Sequence, residues 1–307
     1  MPGGCDMKRV LRIAIPLIIS LNFLSPLARG DLLVSSLRSD EVLRYNATTG
    51  AFLGAFVREY AAPVAWPEGL VYGADGNLYV SSALTDSVLR FNAFTGAFMG
   101  AFVTQGSGGL SGPVGLLFGP DGNLYVSSHF SGNVLRYDGT TGRFLGVFTQ
   151  GDELYRNTGL VFGPDGNLYV SNFGDFGHNA NSVVRYCGNT GAFLDVFVPS
   201  KRGGLGSPTG LVFGADGNLY VSGADNNAVL RYDGTTGAFI DNFVTPGSGG
   251  LVSPVGLIFG PDYNLYVSSQ GTNNVLRYDG VTGAFLGAVM PPGSGGLNAA
   301  YYLVFTP

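Results

Sequence analysis

The chain has 307 residues, of which 50 are glycine, 45 % are hydrophobic and only 12 % are charged. A composition this apolar excludes a disordered chain, and this much glycine excludes a helical one, which leaves an ordered, all-β protein. With Asp6, Lys8, Arg9, Arg12 and Arg29 set aside in a leader, 12 basic residues face 20 acidic ones. The resulting formal charge of −8 argues against nucleic acid as a partner.

In chain order, Met7-Lys8-Arg9 followed by the apolar stretch from Val10 to Leu24 reads as the basic and hydrophobic regions of a secretory signal. Ala28 and Gly30 supply the small residues a signal peptidase tests, so the cut is expected before Asp31 and the signal peptide covers residues 1–30, with Met7 as an alternative start. Arg12 and Pro16 interrupt a stretch already short of the roughly 20 residues of a membrane span. The mature protein is expected to be exported, to a periplasm or the outside, and to be monomeric. Cys5 falls in the leader. Cys187 stands where sister segments carry Asp138, Asp233 and Asp279, which leaves drift at a turn and an exposed reactive thiol both open.

The rest of the chain is an internal repeat. The segment Gly69-Leu70-Val71-Tyr72-Gly73-Ala74-Asp75-Gly76-Asn77-Leu78-Tyr79-Val80-Ser81 returns from Gly115, Gly159, Gly210 and Gly256, in steps of 46, 44, 51 and 46 residues. A second block is centred on Arg44, Arg90, Arg136, Arg185, Arg231 and Arg277, so one block occurs six times and the other five. The termini resolve the mismatch, because Tyr302-Leu303-Val304-Phe305 falls 46 residues after Gly256 and supplies the strand that the beginning lacks.

Each repeat reads as four short strands, in the third copy Gly115 to Phe118, Leu124 to Ser127, Val134 to Tyr137 and Phe144 to Phe148. Gly119-Pro120-Asp121-Gly122 and Asp138-Gly139-Thr140-Thr141-Gly142 supply the turns. Six such units, sewn shut by pairing the chain ends, predict a six-bladed β-propeller of antiparallel four-stranded blades. Blade one is expected to span 31–58 plus 300–307, and blades two to six 69–104, 115–150, 159–198, 210–245 and 256–290.

The repeat resembles the NHL-type propellers, and more loosely the streptogramin-lyase-like proteins, over essentially all of residues 31 to 307. The resemblance rests on Pro113-x-Gly115, Gly119-Pro120-Asp121-Gly122-Asn123, Leu124-Tyr125-Val126, Asn133-x-Leu135 and Thr141-Gly142. It implies the blade and leaves the function open, since such propellers include binding scaffolds, lactonases and lyases.

Short, similar turns share one face of the predicted ring. Loops of differing length and chemistry share the other, the usual layout of a binding surface. On that face both histidines, His129 and His178, sit in adjacent blades with Phe130, Phe173, Asp175, Phe176 and Asn179. These residues fit a pocket with histidine as acid, base or ligand and phenylalanine as wall, and they equally fit ordinary loop packing. The connections between blades add Tyr60, Trp66, Glu68 and Tyr155 as candidate binding residues. The six arginines read as one structural ion pair per blade rather than as a cationic ring, and Asp-Gly-Asn reads as turn chemistry rather than as a calcium loop.

Gluconolactonase-like propellers hold a divalent cation at the channel mouth with Glu, Asn and Asp side chains, two of them placed immediately before a first-strand glycine. The matching positions here are Glu68, Val114, Thr158, Thr209, Val255 and Tyr301, of which Glu68 alone suits. The second strands end in Val-Ser where streptogramin lyases typically show Thr-Glu. Two readings follow. In the first, an exported scaffold without a cofactor binds a peptide, glycan or partner protein on its loop face. In the second, a metal-assisted lyase or lactonase uses a divalent cation at a non-standard site built from Glu68, His129, Asp175 and His178.

Overall fold

The computed structural model describes residues 30–149, 151, 153–174 and 180–307. The expected signal peptide, residues 1–30, lies outside the described residues but for Gly30, and Asp175, Phe176, His178 and Asn179 lie outside them in the segment 175–179.

The described chain forms six four-stranded antiparallel sheets arranged as a ring, a six-bladed β-propeller. In blade three the strands are Pro113–Phe118, Leu124–Ser128, Asn133–Tyr137 and Phe144–Val147, and the other blades repeat this order. The first strands adjoin one another around the axis. They begin two residues earlier than the sequence suggested, at Pro67, Pro113, Asn157, Pro208 and Pro254. Proline hides a strand start because it has no N–H to give the ladder, a defect that a first residue tolerates.

Closure is as expected. Ala300–Phe305 becomes the first strand of blade one and pairs with Leu32–Ser36 in the register Leu32 with Phe305, Leu33 with Val304 and Val34 with Leu303. Beyond it the Thr306 N–H donates to the Asp31 carbonyl at 2.8 Å. No strand edge of β-sheet is left unpaired at the seam, which removes a site of aggregation.

The turn motifs are consumed by the fold. Asp121 accepts the Asn123 N–H at 3.1 Å, the Asn123 side-chain amide at 2.7 Å and the Tyr125 hydroxyl at 3.0 Å. Arg136 approaches the same carboxylate at 3.9 Å. Asp75, Asp165, Asp216 and Asp262 repeat the arrangement with Arg90, Arg185, Arg231 and Arg277, so these carboxylates serve as turn anchors. At the next turn Asp138 accepts the Thr140 and Thr141 N–H groups at 3.1 and 2.8 Å. Cys187 takes the equivalent place in blade four, where it is 3 % exposed, so the exposed reactive thiol is not present. Between blades, Tyr79 meets Phe102 and Phe118 edge-on at 4.8 and 5.1 Å, and Tyr125 meets Phe148 and Phe162 at 4.8 and 5.2 Å. No helix among the described residues is long and apolar enough to cross a membrane.

Two devices lock neighbouring blades. In the first, a residue with left-handed backbone precedes each first strand: Trp66, Gly112, Arg156, Ser207, Ser253 and Ala299. At five of the six, its N–H donates to an Asp or Asn side chain of the preceding blade: Trp66 to Asp40 at 2.7 Å, Gly112 to Asp86, Ser207 to Asn181 and Ser253 to Asn227 at 2.8 Å, and Ala299 to Asn273 at 2.6 Å. In the second, a third-strand tyrosine hydroxyl donates to the loop arriving from the previous blade: Tyr45 to the Ser294 carbonyl, Tyr137 to Ser107, Tyr232 to Arg202 and Tyr278 to Ser248, at 2.7 to 2.9 Å.

Candidate functional site

The same devices aim side chains at the axis. The residue following each second strand donates its N–H to the carbonyl of the left-handed residue: Leu37 to Ala299, Ala83 to Trp66, His129 to Gly112, Phe173 to Arg156, Ala224 to Ser207 and Gln270 to Ser253. These six positions are thereby held at the loop-face mouth of the channel. Just inside it lie Glu68, Val114, Thr158 and Tyr301, four of the residues that precede the first-strand glycine or its equivalent.

All of these but Ala224 line a pocket of about 220 Å³. Its walls are largely apolar: Leu37, Trp66, Ala83, Leu84, Val114, Phe130, Phe173 and Tyr301. Glu68, His129, Thr158 and Gln270 supply the polar side chains. Phe130, 67 % exposed, lies over Gly112 so closely that a Cβ there would stand 2.6 Å from the ring. His129 packs edge-on against Phe130, with ring centroids 5.0 Å apart, and stands 6.4 Å from Phe173.

Glu68 is the unusual group. It is 7 % exposed, its Oε2 has no hydrogen-bond partner, and it joins no ion pair among the described residues. Its backbone is fixed across the seam between blades one and two, where the Ser35 hydroxyl donates to its carbonyl at 2.8 Å. Burial with nothing to offset it holds the carboxyl well above its ordinary value. Burial also raises the phenol of Tyr301, and the nearby Glu68 charge raises it further.

His129 Nδ1 lies 3.3 Å from the Asn157 carbonyl. A carbonyl can only accept, so Nδ1 carries the proton and Nε2 keeps its lone pair in the neutral ring. Burial holds the imidazole below its ordinary value and the Arg156 charge acts the same way, opposed by the Asn157 bond. The Thr158 hydroxyl is engaged by the Pro208 and Thr209 carbonyls at 3.1 and 3.3 Å.

Of the residues singled out from sequence, Glu68, Trp66, His129, Phe130 and Phe173 come together here. Tyr60 is 91 % exposed and Tyr155 stacks on the Arg156 guanidinium at 5.6 Å; neither lines the pocket. Leu37, Ala83, Leu84 and Gln270 were not anticipated, although the column of residues two places after each Val-Ser marks three of them. Among the described residues no three His, Cys, Asp or Glu side chains are grouped to hold a metal ion.

No protein-family model matches the sequence, and neither does any curated protein. Solved structures do resemble the fold. A chain of a nidogen–laminin complex superposes with a TM-score of 0.70 at 18 % identity, over 91 % of this chain and 98 % of that one. A protein of unknown function from Bacteroides caccae gives 0.68 at 14 %, over 90 % and 98 %. A streptogramin B lyase gives 0.58 at 16 %, over 77 % and 72 %. At these identities the likeness is one of fold, and a propeller fold hosts many unrelated activities.

Proposed function

We propose that the protein is an exported binding module whose loop face captures a peptide or partner protein, drawing one side chain of that partner into the channel-mouth pocket. The observation that carries this reading is convergence: residues from five blades, all on the variable face, build one mostly apolar recess around a single buried carboxyl. Binding sites are of this kind, concave and apolar with few polar groups. A glycan fits less well, because its hydroxyls need many partners and the pocket offers few. Among the structural neighbours, the nidogen–laminin structure is a protein–protein complex. Export is proposed from the basic and apolar leader alone.

The metal-assisted lyase or lactonase is the second reading, favoured by a strongly perturbed carboxyl beside a histidine in a cleft. Of its four residues, Glu68 and His129 are described.

The test is selection of binders from a random peptide library on residues 31–307, followed by competition against Phe130→Ala, Phe173→Ala and Tyr263→Ala. Tyr263 lies on the opposite face, in a turn. The two phenylalanine variants are expected to lose the selected peptides at least tenfold and Tyr263→Ala to keep them. Peptides that bind all three alike would place the binding surface elsewhere.

A further inference from the structure

The most informative group is the buried carboxyl of Glu68, whose Oε2 has no hydrogen-bond partner and which joins no ion pair among the described residues. Leaving an ionised carboxylate buried and unpaired is costly, and such a group either protonates or finds a counter-ion. No lysine or arginine lines the pocket among the described residues, so none of them supplies a counter-ion. A divalent metal would want about six oxygen donors. Here the Thr158 hydroxyl is already engaged and no second carboxylate among the described residues lines the recess. The walls point instead to a soft cation, since Trp66, Phe130, Phe173 and Tyr301 line the recess with aromatic rings, whose faces attract alkylammonium and guanidinium groups. Neutral His129, with Nε2 free to accept, adds a second acceptor to a head group that carries three to five N–H donors.

We infer that the pocket takes an organic cation, an ammonium or guanidinium head, paired with the Glu68 carboxylate and walled by aromatic rings. This rests on the binding reading above and names the side chain that the pocket receives. The same head group could reach it as a free amine or as a lysine or arginine of a peptide.

Proton balance gives the inference a signature. In the empty pocket Glu68 is protonated below its raised midpoint; an arriving ammonium pairs with the carboxylate, and one proton leaves to solvent for each cation bound. The titratable groups facing the carboxyl are the phenols of Tyr301 and Tyr302 and the imidazole of His129. The phenols stay neutral across this range and burial holds the imidazole below its ordinary 6.5, so a proton released above that pH and lost in Glu68→Gln comes from Glu68.

The experiment follows emission of Trp66, the single tryptophan, which lines the pocket. Wild type and Glu68→Gln are titrated with n-butylammonium, n-butylguanidinium and N-acetyl-lysine methylamide, against 1-butanol and N-acetyl-norleucine methylamide as neutral isosteres. Saturable binding of cations at least tenfold tighter than of isosteres is expected, weakened at least tenfold in Glu68→Gln, whose melting curve confirms its fold. Affinity should rise by up to about tenfold per pH unit below the Glu68 midpoint and level off above it, with about one proton released per cation by calorimetry in two buffers. Equal binding of butylammonium and the lysine derivative indicates that a free amine suffices; binding of the lysine derivative alone indicates a peptide source. Isosteres that bind as well as cations, no cation binding, or an unchanged Glu68→Gln would each overturn the inference. Library peptides that lack Lys and Arg yet are lost in Phe130→Ala would overturn it while leaving the binding reading intact.

Discussion

The junction between blades three and four differs from the other five. Elsewhere an Asp or Asn clasps the left-handed residue of the next blade; here the clasping position is Gly132 and the left-handed residue is Arg156. Elsewhere proline or alanine opens the first strand; here Asn157 does, and its Oδ1 finds no partner. In four blades the third-strand tyrosine straps the incoming loop, whereas the hydroxyl of Tyr186 in blade four has no hydrogen-bond partner. The pocket residues His129, Phe130 and Phe173 border this junction. At the regular junctions an Asp or Asn side chain satisfies the N–H of the left-handed residue. Where the repeat is interrupted, aromatic and titratable groups face the channel.

The largest effect is expected from deleting residues 300–307, which removes the closing strand and exposes Leu32–Ser36 as an edge. Such a protein should fail to fold or should aggregate, and an unchanged melting temperature on scanning calorimetry would contradict ring closure as the source of stability.

Glu68→Gln should act next. The folded-state carboxyl titrates well above its ordinary 4.5, so the folded protein holds a proton that the unfolded chain gives up. Stability of the wild type must therefore fall as pH rises from about 4.5 through the folded midpoint, and Glu68→Gln should remove that slope. Melting curves across pH should show the stability of the variant relative to wild type growing as pH rises from 4.5 towards neutral.

The clasps come third. Asn227→Ala removes an acceptor and leaves alanine in a left-handed conformation, for a cost of about 1–2 kcal/mol in chemical denaturation. Gly132→Asn, by contrast, should not restore a clasp. An added Cβ would stand 2.7 Å from the Leu154 carbonyl oxygen, so that variant should also lose stability.

The smallest effects sharpen the comparison most. Tyr137→Phe and Tyr278→Phe each lose a strap and should cost about 1 kcal/mol, or roughly 2 °C of melting temperature. Tyr186→Phe removes a hydroxyl that bonds to nothing and should be neutral or stabilising. One substitution thus changes sign with the junction, and equal losses at all three positions would erase the distinction drawn here.

The propeller was legible in the sequence because its information is local and repeated: glycine where Gly122 takes positive φ, aspartate where Asp121 and Asp138 accept backbone N–H groups, and one arginine per blade. The first-strand starts were less legible because Pro67 and Pro113 look like loop residues until the ladder forms. At the site, the position of Glu68 followed from counting back from Gly69, but its isolation depends on what five blades place around it, which no single repeat records. Likewise Tyr60 and Trp66 stand in the same connection and look equivalent in sequence. Only Trp66 is turned into the pocket, by a backbone bond to Asp40 from the neighbouring blade.

The central claim is that Glu68 is a buried carboxyl kept without a partner until a ligand arrives. The sequence has only four glutamates, Glu41, Glu59, Glu68 and Glu153, so carboxyl-labelled glutamate followed by carbon NMR across pH resolves each midpoint, with Glu68→Gln assigning the signal. One resonance, lost in Glu68→Gln, is expected to titrate well above 4.5 and to shift downward in midpoint when n-butylammonium is added. Four midpoints clustered near 4.5, unmoved by the amine, would contradict that claim.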